Sequence, residues 1–321
     1  VLSAYSEFEY ARSALRLGVK EYLLKPINLT DFSEAIQRVK QEIERDRKNS
    51  PEKIGGLDHM IRNILSGDIK TEDEVLDYLK DRFGIEKTSP IALLVTYFEE
   101  WTEKKRADFL RKIKMILSER PGVLYCIQQD EKQREIRLLL YNYKEGDNMK
   151  RWIQGHFLRE NGKLRGAAMG WTEVEDIRLL RENYEAVEQY LEWTIPMGDD
   201  VIISYPEILN IQTELCVYPL DIEEQMKAAV CSGDEEKTIK SLKRFQRYFQ
   251  DQKVYSPQNI KECYVRFFWS MIHFLKEAGS MSSEDVDQRE LLDRITRAKT
   301  RQGLEEAVAK LLSERKSSDE E

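Results

Sequence analysis

The sequence predicts a mixed α/β chain in which two strand-bearing regions are followed by an all-helical final third. Three observations carry this. Apolar runs of strand length stand at residues 1–3, 21–24 and 91–97. Around them, apolar residues recur at three- and four-residue spacing, the period that gathers them on one face of a helix. From residue 205 onward only the helical period remains.

Composition narrows the class. A chain of 321 residues suits two or three domains of roughly 100–200 residues each. Charged residues are 34% and hydrophobic ones 41% of the chain, as in helix-rich globular proteins. No apolar run approaches the ~20 residues needed to cross a bilayer, and no signal peptide is visible, so the expected location is cytoplasmic, with no membrane partner. Cys126, Cys216, Cys231 and Cys263 show no CxxC spacing, which argues against a structural zinc site or a disulfide framework. His59, His156 and His273 are far apart, leaving little for metal or triad chemistry; no metal site, cofactor or catalytic residue is expected in this chain. The net charge is −8, with basic and acidic residues interleaved and an acidic stretch at 317–321. A surface that binds nucleic acid needs clustered lysine and arginine, so this polypeptide alone is not expected to bind it.

The first region reads as strand, helix, strand. Residues 1–3 are an apolar run ending in the hydroxyl of Ser3. Ser6 can cap a helix carrying Phe8, Ala11, Ala14 and Leu15, and Gly18 can end it. Residues 21–24 form the second strand, stopped by Pro26. In a parallel α/β sheet, ligands sit beyond the carboxyl ends of the strands. Ser3 and Lys25 would converge there, and a hydroxyl beside an ammonium suits a phosphoryl group.

The string Leu2-Ser3-Ala4-Tyr5, followed by Phe8-Glu9-Tyr10-Ala11 and then Gly18-Val19-Lys20-Glu21-Tyr22-Leu23-Leu24-Lys25-Pro26, closely resembles the last third of a response-regulator receiver domain. The nearest kind is the YesN type, whose receivers precede an AraC-type DNA-binding domain. The resemblance implies that Ser3 hydrogen-bonds the phosphoryl oxygens and that Lys25 pairs with the phosphoaspartate. It makes Tyr22 the aromatic residue that changes rotamer on activation and Ala4 the small residue leaving room for the phosphoryl group. It also makes the Lys25-Pro26 bond cis, which proline allows at low cost. In this family the phosphoacceptor aspartate and the acidic pair that holds Mg2+ precede the serine-bearing strand, so the resemblance places neither in this polypeptide.

Residues 30–48 are expected to form the receiver's final helix, with Thr30 as N-cap and Phe32, Ala35, Ile36, Val39 and Ile43 as one apolar stripe. That stripe could pair with a copy of itself and make a homodimer, or simply cover the sheet. Residues 53–84 read as two amphipathic helices, the second opened by a capping box of Thr71 and Glu74 and closed by Gly84.

The period then changes. Strands are expected at 91–97, 123–127, 136–141, 164–170 and 201–204, and helices at 103–118, 149–158 and 177–191. The order β-α-β-β-α-β is a split βαβ, ferredoxin-like arrangement. This middle region, 49–204 with its helical lead-in, also resembles the degenerate GGDEF-like module of YesN-type regulators, through Gly170, Ile177 and Tyr184-Glu185-Ala186. A diguanylate cyclase needs glycines that let the backbone approach the nucleotide and acids that hold metal. Here the corresponding turn reads Gln128-Gln129-Asp130-Glu131-Lys132-Gln133-Arg134, without glycine and partly basic. Glu99 and Glu100 could mimic a metal ligand, but acids at a strand end are usually solvated. No enzyme is expected.

Residues 205–321 carry helices opened by Pro219, Asp234 and Ser256-Pro257, with the face Ile239, Leu242, Phe245, Tyr248 and Phe249 and then Ile260, Tyr264, Phe267, Phe268, Met271, Ile272 and Leu275. Leu291, Leu292 and Ile295, then Leu304, Val308, Leu311 and Leu312, give two more. This part resembles the helical connector ahead of the AraC-type helix-turn-helix pair, which the resemblance places beyond this polypeptide. The combined expectation is a truncated doubly wound receiver (1–48), a ferredoxin-like middle domain (49–204) and an all-α connector (205–321). The complete protein would be phosphorylated by a sensor histidine kinase and regulate transcription at promoter DNA. A stand-alone interaction or dimerisation scaffold is the alternative.

One outcome can be checked directly. Acetyl phosphate should leave no phosphoryl adduct on this polypeptide, as read on a phosphate-affinity gel. A retarded band would contradict the assignment of Ser3 and Lys25 to the reading side of the site.

Overall fold

The computed structural model describes residues 2–3, 23–28, 30, 32–33, 35–37, 56–144, 146–159, 166–198, 201–250, 253–279 and 287–314. The architecture is mixed α/β. Two short strands, β1 (Leu2–Ser3) and β2 (Leu23–Leu24), pair in parallel. Beyond Pro26, Thr30, Phe32 and Ser33 and then 35–37 are helical. The residue that opens this helix is Asn28, whose Oδ1 accepts from the Thr30 backbone N–H at 2.9 Å; Thr30 itself is already inside, so the start lies two residues earlier than the sequence implies. Ala35 is buried, whereas Phe32 and Ile36 are exposed, so the expected stripe is only partly covered.

Helix α1 (Leu57–Ser66) buries Leu57, Met60, Ile61, Ile64 and Leu65. Helix α2 (Asp73–Phe83) starts at Glu72 without a side-chain cap, so the expected Thr71–Glu74 box does not form. Gly84 closes it in the left-handed conformation, donating to Leu79 and Lys80.

The central sheet has five strands: β3 (Ile91–Phe98), β4 (Leu124–Asp130), β5 (Glu135–Tyr141), β6 (Ala167–Val174) and β7 (Ile202–Ser204), in the order β4-β5-β3-β6-β7. The pairings are antiparallel except for the parallel β6–β7 pair. Strand β3 lies in the middle and all eight of its residues are buried. Its side chains alternate between two apolar layers. Ile91, Leu93, Val95 and Tyr97 face α1, α2 and α5 (Leu180–Tyr190). Ala92, Leu94 and Phe98 face α3 (Glu103–Ser118) and α4 (Met149–Arg159). Helices on both faces explain why the strand reads as a continuous apolar run and not as an alternation.

The strands are longer than their apolar runs. β4 continues through Asp130, so the turn shrinks to 131–134, and β6 runs on to Val174 because register with β3 extends to Ile91↔Val174. The helix expected at 177–191 is interrupted: a 3-10 turn (Ile177–Leu179) precedes α5, and another (Leu191–Trp193) leads to α6 (Thr194–Met197). After β7 comes the short α7 (Tyr205–Leu209), and 211–219 has no regular secondary structure.

Among the described residues, five helices follow: α8 (Leu220–Cys231), α9 (Glu235–Tyr248), α10 (Pro257–Glu277), α11 (Gln288–Arg297) and α12 (Arg301–Glu314). Asp234 and Ser256 cap α9 and α10, accepting from the backbone of Lys237 and Asn259. Their core is aromatic, with Phe245 and Phe267 stacked at 3.9 Å. Ile239 is 50% exposed and does not join it. Ile195 of α6 does belong to this core, so the module's closing helix is built into the bundle.

Gly170, in mid-strand, packs closely under α5 and the 3-10 turn that follows it. A Cβ there would meet Val187 Cγ1 at 2.5 Å and Leu191 Cδ2 at 3.0 Å. Gly170→Ala should cost about 1–3 kcal/mol through overpacking, read as a lower urea midpoint. An unchanged midpoint would show that α5 can retreat without loss.

Candidate functional site

Register first decides where the sequence-selected residues lie. Leu2 pairs with Leu23 and Ser3 with Leu24 in parallel, which brings Ser3 and Lys25 to the same carboxyl end of the β1–β2 pair. The Lys25-Pro26 peptide bond is cis, and Lys25 and Pro26 are exposed. Ala4 and Tyr22 lie outside the described residues.

A second location was not selected from the sequence. Glu99, just past β3, is not a solvated strand-end acid. Its Oε1 accepts from the backbone N–H groups of Lys299 and Thr300 and from Thr300 Oγ1, each at 2.9 Å. The carboxylate therefore sits over the first turn of α12, where orphan N–H groups and the helix dipole favour a negative charge. Tyr97 donates its hydroxyl to Glu99 Oε2 at 3.3 Å, and Arg134 Nη1 donates to the Glu99 carbonyl at 2.9 Å. Gly303 makes the approach possible, since a Cβ there would lie 2.4 Å from the Glu99 carboxylate. Glu100 points elsewhere, to Lys105 at 2.8 Å.

Beneath this cap lies a buried polar group. Glu135 and Arg137 stand two residues apart on β5, hence on one face. Arg137 reaches Glu135 Oε2 at 3.1 Å, donates to the Tyr184 hydroxyl at 2.6 Å and meets Asp130 at 3.3 Å. Tyr184 donates to Glu135 Oε2 at 2.9 Å, and the guanidinium lies over its ring. Burial pushes the Glu135 carboxyl up, against the pull of Arg137 and Lys299. Burial alone would lower Arg137, but Tyr184, Glu135 and Asp130 outweigh it and raise it, so it stays charged. Lys299 approaches Glu135 Oε1 at 3.8 Å and spans the ring of Tyr97, joining this group to the cap above. The sequence signal is a charged pair at i and i+2 within an otherwise apolar strand.

An open cleft of about 900 Å3 lies between the β3 end, the 131–134 turn and helices α11 and α12, bordered by Glu99, Trp101, Lys132, Arg134, Arg294 and Lys299. Its charges are mixed and several are already paired, Arg294 with Glu290 at 2.7 Å and Arg297 with Asp293 at 3.0 Å. Among the described residues, no group of three His, Cys, Asp or Glu side chains is placed to hold a metal ion. No helix among them is long and apolar enough to cross a membrane. The arrangement fastens α12 to the sheet.

Glu99→Ala would strand three donors and should lower stability by about 1–3 kcal/mol. Glu99→Gln keeps an acceptor oxygen and should lose less. Equal urea midpoints for the alanine variant and the parent would refute the cap.

No family model matches this sequence. A 66-residue stretch is 38% identical to the uncharacterized transcriptional regulatory protein YesN of Bacillus subtilis (strain 168), covering 21% of this chain and 18% of that protein. The chain is thus similar, over a minor part of both, to a transcriptional regulator.

Proposed function

We propose that this chain is part of a two-component response regulator of the YesN/AraC type. In the complete protein it would couple receiver phosphorylation by a sensor histidine kinase to DNA-binding regulation of transcription. The observation that carries this reading is the parallel β1–β2 register, which sets Ser3 and Lys25 at one strand end. The partial similarity to a transcriptional regulator supports it independently of geometry. Mg2+ and the phosphoacceptor would belong to the complete receiver, and Tyr22 and Ala4 would act as its switch residues.

The middle of the chain is read as a ferredoxin-like, degenerate GGDEF-like module without catalysis. The element order β3-α3-β4-β5-α4-β6 and the strand order β4-β5-β3-β6 support the first part. The second rests on Glu99, whose Oε1 already serves three donors from 299–300, and on the turn 131–134, which lacks glycine. The helices after β7 are read as the connector to a DNA-binding domain, and a homodimer as the working form.

The complete reading frame decides between this and a stand-alone scaffold. An acidic pair with an acceptor aspartate upstream and paired helix-turn-helix motifs downstream are expected; stop codons on both sides would overturn the proposal. In the complete protein, Lys25→Ala should still accept a phosphoryl group from acetyl phosphate. It should lose about tenfold or more of the phosphorylation-dependent gain in promoter affinity, the worth of one charge-assisted hydrogen bond. An undiminished gain would remove Lys25 from the switch.

A further inference from the structure

We propose that Cys216 and Cys263 form a redox-responsive dithiol that closes to an intrachain disulfide and staples the 211–219 segment onto α10. The sequence gives no hint of it, since 47 positions separate the two. In the fold their Sγ atoms are 3.5 Å apart. Cys263 faces the bundle core from α10, and Cys216 packs against the same core from the 211–219 segment while remaining partly open to solvent. The other two thiols are placed differently: Cys126 donates to Asp58 Oδ1 at 3.0 Å and Cys231 ends α8.

Closure is geometrically modest. A disulfide needs the sulfurs at about 2.05 Å, so they must approach by about 1.5 Å. Cys216 lies between two tethers, Glu214 N–H to the Val254 carbonyl at 2.9 Å and the Tyr248 hydroxyl to the Val217 carbonyl at 2.7 Å. These keep its sulfur facing α10, while 211–219 has no helical ladder to break. Cys263 keeps its place on the helix, so the 211–219 segment supplies the movement.

The oxidant would be a hydroperoxide. Cys216 loses its proton, its thiolate attacks the peroxide oxygen, the O–O bond breaks, and a sulfenic acid forms as the departing hydroxide takes up that proton to leave as water. The Cys263 thiolate then attacks that sulfur and expels hydroxide, which takes up a proton. Two thiols and one hydrogen peroxide give one disulfide and two waters, and two electrons pass from sulfur to oxygen. Burial raises both thiols, Cys263 to about 12, and Glu262 adds to each. Both therefore rest as S–H, and the more exposed Cys216 is the point of first attack. A disulfide formed this way in a reducing compartment is transient and signals oxidant load.

The test uses the whole chain, reduced and then exposed to hydrogen peroxide, with free thiols alkylated before tryptic mass spectrometry. The expected product is the Cys216 peptide joined to the Cys263 peptide, two hydrogens lighter than their sum and split by dithiothreitol. Hydrogen exchange over 211–219 should slow in the oxidised chain. Cys216→Ser, on a partly exposed segment, should abolish the cross-link with the unfolding midpoint retained, and Cys231→Ser should leave the cross-link intact. A cross-link through Cys126 or Cys231, or Cys216 and Cys263 both remaining alkylated after oxidation, would overturn the proposal.

Discussion

One carboxylate ties the central strand of this structure to a helix of its final third. Glu99 ends the central strand and caps a helix that begins some 200 positions later in the chain. A hydrogen bond to a charged acceptor contributes about 1.5–3 kcal/mol, while the entropy of closing so long a loop grows only by about 0.6 kcal/mol per doubling of its length. A single well-placed acid can therefore bridge a separation that looks prohibitive on paper. It does so because Gly303 leaves room, and because Lys299 and Thr300 offer their backbone N–H groups before α12 has a partner for them.

Other long side chains extend this joint. The Lys261 ammonium, from the middle of the bundle, bonds to Glu192 at 2.7 Å and to the Thr296 carbonyl at 2.8 Å. Arg301 donates to the carbonyls of Ile195 and Pro196. Each cation answers a carbonyl or carboxylate at a helix end, where unsatisfied acceptors collect. Beneath them, Glu135, Arg137 and Tyr184 bond to one another inside the apolar layer, with Glu135 Oε1 left to the longer approach of Lys299. Breaking such a group by removing one partner costs far more than its net contribution to folding. The joint is thus directional: apolar packing brings the parts together, and polar contacts fix their orientation.

The sequence was legible where periodicity and capping chemistry act locally. The strand at 91–97, the helix at 103–118 and the starts at Asp234 and Ser256 follow from residues within a turn of each other. Errors arose where a distant partner decides. β4 and β6 overrun their apolar runs because neighbouring strands supply hydrogen bonds to polar residues such as Gln129 and Thr172. Thr71 loses its cap to a start at Glu72. The Glu99 cap, the Glu135–Arg137–Tyr184 group and the Cys216–Cys263 contact join residues far apart in the chain. Beyond the charged i, i+2 pair on β5, no local pattern announces them. Ser3 and Lys25 were legible for a different reason, since they belong to a short string with familiar spacing.

The place of Ile195 bears on how the molecule can be taken apart. This residue lies on the sheet side of the change from alternating to purely helical periods, yet its side chain belongs to the bundle core. An expression fragment ending at 204 would present Ile195 and the Ile195 and Pro196 carbonyls to water. A fragment starting at 205 would carry a matching hole and an Arg301 without acceptors. Such halves would be sticky toward each other, a basis for fragment complementation, and limited proteolysis near 211–219 would nick the chain without releasing either piece.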